Sequence, residues 1–207
     1  MSPLRLLITD IRFRFPVILF WLILILSVKT MAQPIWKLEI DGKVEDNGKA
    51  LEGAQIKILK GGSEKASLFS GSNGKFKYAL EPNNDYTISV TKPGGYITKL
   101  IFISTKNVPS SEDTRDGFQP FKMEINIFKE MPGLDVSILK QPVGKIFYDE
   151  SANNFQFDKA YTQSILAELE KLTEDLAKKL AEEAAAAAEA QKKKMEFDKL
   201  INQGDAT

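Results

Sequence analysis

The stretch that decides the fold is Trp36-Lys37-Leu38-Glu39-Ile40-Asp41-Gly42-Lys43-Val44-Glu45-Asp46-Asn47-Gly48. Its period is two: Leu38, Ile40, Gly42 and Val44 fall on one side, and Lys37, Glu39, Asp41 and Lys43 on the other. That alternation predicts a half-buried strand. Asp46-Asn47-Gly48 then reads as a turn, because Asn and Gly tolerate positive φ. Ala54, Ile56 and Ile58 begin a second alternating strand. Further strands centre on residues 66–70, 75–80, 86–90, 96–104 and 121–128, with Phe76, Tyr78 and Leu80 sharing one face of the fourth. Gly61-Gly62, Asn73-Gly74, Pro82-Asn83-Asn84 and Pro93-Gly94-Gly95 separate them. Seven short strands with turns about every ten residues predict an antiparallel sandwich of immunoglobulin-like or transthyretin-like type. Phe76 reads as a core plug, a kind of residue whose truncation costs about 3–5 kcal/mol.

The order of these residues resembles a known family. Gly42-Lys-Val44-Glu-Asp46, then Lys49-Ala-Leu51-Glu-Gly53-Ala54-Gln-Ile56-Lys-Ile58, is similar to the opening of carboxypeptidase regulatory-like domains. The likeness continues through Asn73-Gly74-Lys-Phe76, Tyr86-Thr-Ile88-Ser-Val90 and Gly95-Tyr96, and covers Leu38–Ile127. Two positions depart from it: Lys49-Ala50, where the family commonly has a proline, and Asn73, where it often has an acid. The resemblance implies a transthyretin-like sandwich that serves as a non-catalytic module in exported or surface proteins, beside another functional part.

Composition narrows the chemistry. The 207 residues include 28 Lys+Arg, 28 Asp+Glu, no histidine and no cysteine. Disulfides, thiol nucleophiles, thiolate metal sites, histidine triads and ordinary zinc sites are therefore excluded. The balanced charge is unevenly placed. Residues 1–32 hold four basic side chains (Arg5, Arg12, Arg14, Lys29) against Asp10, a net +3, which leaves −3 for residues 33–207. The arginines precede an apolar run, Val17–Val28, too short to span a bilayer, and Thr30-Met31-Ala32 supplies small residues before Gln33. Residues 1–32 are thus expected to be a signal peptide, cleaved before Gln33 or retained as an anchor. After cleavage no stable membrane span remains. The acidic remainder also argues against a nucleic-acid partner.

Beyond the sandwich, assigned to 33–130, a polar loop holds Glu112, Asp113 and Asp116, whose spacing matches no standard Ca²⁺ loop. Residues 131–158 read as an extended arm or hairpin packed on the sandwich. Asp158 is the expected N-cap of a long, charged, Ala-rich helix over 159–207. Ile165, Leu169, Leu172 and Leu176 form a seam spaced 4, 3, 4. It fits a coiled coil with another helix or docking on the Phe155/Phe157 side of the sandwich. Ala184–Ala188, between Glu182-Glu183 and Lys192–Lys194, reads as a solvated spacer. Phe197, Leu200 and Ile201 then restore an apolar stripe, and residues 195–206 look like the opening of a tetratricopeptide-type array. A lone helix cannot bury that stripe, so the chain is read as the front of a longer protein.

Two functions of different class compete. The first is an exported, non-catalytic adaptor of the bacterial envelope, periplasmic or outer-membrane-associated, which binds envelope proteins and self-associates through its helix. The second is a glycan-binding sandwich, for which Tyr96, Phe118 and Phe121 are the only loose aromatic candidates, and a core or strand-edge role suits each of them better. An enzyme is not expected. Nearly all the carboxylates fall at outward strand positions, in turns or on the helix; Ser63 and Lys65 sit in a glycine turn, where neither is buried; and no phosphate-binding loop occurs. No catalytic residue, metal ligand or cofactor is assigned.

Overall fold

The computed structural model describes residues 36–109 and 117–204, with side chains through Ile201. The expected signal peptide, with its expected cleavage site, and the acids of the 109–120 loop lie outside the described residues. Among the described residues ten strands form two sheets. The first contains β1 (Leu38–Asp46), β2 (Lys49–Ala50), β5 (Lys75–Leu80) and β8 (Phe121–Asn126). The second contains β3 (Gln55–Lys60), β4 (Ser63–Phe69), β6 (Asp85–Thr91), β7 (Lys99–Ser104), β9 (Pro142–Asp149) and β10 (Asn154–Phe157), in the order β10-β9-β7-β6-β3-β4. A 3-10 turn at Ser137–Lys140 precedes β9, and a long helix, α1 (Lys159–Gly204), follows β10. The architecture is a β-sandwich with a long C-terminal helix.

The strand count exceeds the seven expected, and two pairings run parallel: β1 with β8 and β7 with β9. The extra strands are the two-residue β2 and the β9–β10 hairpin, which extends the second sheet. Alternation in a sequence shows which face a strand buries. It does not show which neighbour the strand chooses, or in which direction.

The deciding strand behaves as its period demands. Leu38, Ile40, Gly42 and Val44 are buried, and the side chains between them are not. Gly42 pairs with Phe76 across β1 and β5, and a Cβ at Gly42 would overlap the Phe76 ring. The glycine therefore makes room for the plug. Gly74 has φ +74°, and a Cβ there would strike the Val44 carbonyl, which already accepts from Leu51 N at 2.9 Å. Both positions tie the turn chemistry to core packing.

From the second sheet, Ile56, Ile58, Tyr86, Ile88, Val90, Ile103, Ile146 and Phe155 meet the first sheet's side chains in one core. Two buried hydroxyls fasten its corners. Ser70 Oγ donates to Leu51 O at 2.6 Å and accepts from Ala54 N at 3.0 Å. Thr105 Oγ1 donates to Glu81 O at 2.8 Å and accepts from Asn84 N at 3.0 Å. Buried polar groups are tolerable only when paired in this way.

Candidate interaction surfaces

The three aromatics proposed for sugar contact are not brought together. Tyr96 OH donates to Asp46 Oδ2 at 2.8 Å, and the ring has Lys92 Nζ at 6.0 Å and Lys129 Nζ at 5.7 Å. The Asp46 carboxylate, aided by burial, raises the Tyr96 phenol above its ordinary value. Phe118 belongs to an aromatic cluster, with ring centroids 5.1 Å from both Trp36 and Phe155. Phe121 stacks edge-on with Phe157 at 5.4 Å. Each ring therefore has a packing role, in keeping with the preference of aromatic pairs for tilted contacts.

A different aromatic pair has one exposed and one half-buried ring. On the outer face of the second sheet Phe102 and Phe147 lie 5.8 Å apart, and Phe147 is 38% exposed. Register extends the row, since Thr87 pairs with Phe102 on one side and Leu59 on the other. The sequence reading missed this patch because Phe147 lies in the segment read as a hairpin or extended arm, to which the sequence assigns no neighbouring strand. Its position beside Phe102 follows from the parallel β7–β9 pairing. The only available signal was the out-of-phase Phe147 between Ile146 and Tyr148.

Between the sheets, Lys99, Ile101, Met123, Ile125, Val143 and Phe157 line a cavity of about 180 Å³. Lys99 Nζ lies 5.9 Å from the Phe128 ring centroid, and burial lowers its ammonium pKa. Desolvation disfavours the charged form of a lysine, which accounts for the direction. Elsewhere, hydrogen bonding from Lys106 holds the Asp85 carboxyl below its ordinary value; the Nζ–Oδ2 distance is 2.6 Å. Ser63 and Lys65 both lie on the exposed strand β4. Among the described residues no group of three or more Asp and Glu side chains is placed to hold a metal ion. Among them, too, no helix is long and apolar enough to cross a membrane.

The helix presents the largest contrast. Asp158 caps it, accepting from Tyr161 N at 3.0 Å through Oδ1. Tyr161 OH donates to Pro142 O at 2.5 Å, and Lys145 Nζ lies 4.0 Å from the Tyr161 ring centroid. Ile165 and Leu172 are then buried in a second cluster with Ile97, Phe128, Ile138 and Leu139, flanked by Leu169 and Leu176. The seam thus docks on the sandwich, but on this second cluster and not on the Phe155/Phe157 side. The 3-10 turn supplies Ile138 and Leu139, and so builds half of the docking surface. Past Leu180 every described side chain through Ile201 is exposed. Phe197 and Leu200 are each 62% exposed.

No family model matches the chain, and no curated protein matches it. Several solved structures overlap part of it, among them these three. The TIE protein of Bacillus anthracis is 21% identical, with 45% of this chain and 17% of that one covered at a TM-score of 0.36. A streptococcal ancillary pilin is 16% identical, with 47% and 30% covered at 0.29. A DUF3823 family protein from Parabacteroides merdae is 17% identical, with 54% and 49% covered at 0.29. The chain thus spans less than half the length of each. At such scores the overlaps lend nothing on activity or partners.

Proposed function

We propose that the protein is an exported, non-catalytic adaptor of the bacterial cell envelope. Its sandwich is a carboxypeptidase regulatory-like module, residues 1–32 direct export, and α1 carries a contact for other envelope proteins. One observation supports this most: α1 buries one apolar seam on the sandwich, then runs on from Ala181 through Ile201 with every side chain exposed. The second half ends in an open stripe at Phe197, Leu200 and Ile201. Exposed apolar side chains grouped on one helix face are the kind of surface a partner covers. Stacked helical repeats would suit that stripe, in line with its resemblance to a repeat opening.

The test is site-specific photo-crosslinking in intact Gram-negative cells that produce the full chain. A photoreactive residue at Leu200 is expected to capture identified envelope proteins, whereas one at Gln156 on the sandwich is not. Retention of the chain in the cytoplasm, or equal capture from both positions, would overturn the reading.

The Phe102–Phe147 pair, whose Phe147 ring is exposed, favours a second reading, glycan capture, since paired rings on an open sheet can stack on sugar faces. Affinity electrophoresis of the full chain through polysaccharide gels separates the two. Retention that is lost in Phe147→Ala would establish capture, and equal mobility of both proteins would remove it.

A further inference from the structure

The exposed half of α1 carries its own complement. The docking seam steps from Ile165 to Leu169, Leu172 and Leu176, and the same spacing continues unbroken through Lys179. It runs on to Glu183, Ala186, Ala190, Lys193, Phe197 and Leu200. These positions fall on one face of the helix. Along the exposed part the charges reverse about a centre. Lys178 and Lys179 precede Glu182 and Glu183; after the alanines come Lys192–Lys194, then Glu196 and Asp198.

We propose that this segment pairs antiparallel with the same segment of a second copy, about a two-fold axis at Ala188. That registration sets Glu183 opposite Lys193, Glu182 opposite Lys194 and Lys178 opposite Asp198, each twice by symmetry. Ala186 meets Ala190 on either side of the axis, and small side chains there let the backbones approach closely. From Lys178 to Asp198 no like-signed pair is opposed. A parallel, in-register pair would instead set every charge against itself, so the pattern selects the antiparallel arrangement.

One feature of the structure agrees with this. Within the exposed segment Lys193 pairs with Glu189 at 2.7 Å, between side chains that are 73% and 67% exposed. Such a pair holds Lys193 weakly and leaves it available to an acid on the second helix.

The inference rests on reading the distal helix as an interaction arm, and it specifies what that arm meets. Sedimentation of the full chain over a concentration series reads the association. E182K/E183K and K193E/K194E are each expected to weaken it at least tenfold, and the four-residue combination to restore it. Circular dichroism of each variant checks that the helix is kept. The chain has no cysteine, so single spin labels can be placed at Ala181, Ala188 and Met195. The shortest separation is expected at Ala188. Both outer sites should be longer and alike, because their copies are offset by about 21 Å along the axis at 1.5 Å per residue. Short separations at all three sites would mean a parallel pair, and failure of the combined variant to recover would remove the charge register; either outcome overturns the proposal. A chain that stays monomeric at every concentration overturns it too, yet leaves Leu200 crosslinks to other envelope proteins intact. Failure of this inference is thereby distinguishable from failure of the adaptor reading.

Discussion

The two halves of α1 are built from residues of similar helix propensity, yet they are helical for different reasons. In the proximal half Ile165 and Leu172 are buried against a surface made by the 3-10 turn and the strand ends, and Asp158 caps the first turn. Tertiary burial holds that half, as it holds most helices in folded proteins. The distal half buries nothing that the structure describes. It stays helical because alanine, glutamate and lysine lose little on entering a helix, and because the docked half has already met the cost of nucleation. Helicity therefore reports docking in one half only. A stripe can be apolar in both and be a core element in the first, a contact surface in the second.

The largest expected effect separates these roles directly. Leu172→Ala removes a side chain that is 6% exposed, and should lower folding stability by about 2–5 kcal/mol. Leu200→Ala removes the same atoms from an exposed site, and should change the stability of the dilute monomer by less than about 0.5 kcal/mol. Urea midpoints measure both. Equal losses would mean that the distal stripe is a core element, and the contrast drawn above would fail.

Much of this contrast was legible before any coordinates, and the part that was not has a physical cause. The inward set Leu38, Ile40, Gly42 and Val44 follows from period two, and the Asp158 cap from residue type. The seam at Ile165–Leu176 follows from its spacing. Its counter-surface was hidden because Ile97, Phe128, Ile138 and Leu139 come from three separate stretches. The backbone bond from Ile97 N to Phe128 O and the pairing of β7 with β9 bring them together. The same cause hid the Phe102–Phe147 pair, which depends on a parallel pairing between distant strands. For Tyr96, Phe118 and Phe121 the sequence already favours core or strand-edge roles over sugar contact, and the structure supplies the partners, Asp46, Trp36, Phe155 and Phe157.

A proline sharpens the boundary between the halves. Ala186→Pro should cost about 3 kcal/mol of local helix stability by deleting a donor and crowding the preceding turn. Because no described side chain beyond Leu180 packs on the sandwich, the cost should stay local. The expected result is weaker helical dichroism and faster hydrogen exchange beyond Glu182, at an unchanged urea midpoint for the sandwich. A midpoint that fell with the helix signal would show the two halves to be one cooperative unit.

The smallest expected effect concerns pH, and it touches the proximal half alone. Tyr161 OH donates to Pro142 O, and burial raises its pKa above the ordinary tyrosine value. Tyr161 is the one tyrosine of α1, so no phenol of the distal half can ionise. The sign follows from linkage: the folded form keeps its proton at a pH where the unfolded form has begun to lose it. The stabilisation is therefore fully present below the unfolded value, near about pH 10, and is lost as pH rises through the higher folded value. Tyr161→Phe should lower the urea midpoint modestly at pH 8, by the net worth of one hydrogen bond, about 1 kcal/mol. Between pH 10 and 12 that gap should close, because the wild type loses the advantage that the variant never had. Tyr86 and Tyr96 also have raised values, but they are common to both proteins and cancel in the difference. A gap that held constant to pH 12 would mean that the phenol contributes packing and no proton-linked contact. The docking of the first turn would then rest on Asp158 and the buried seam.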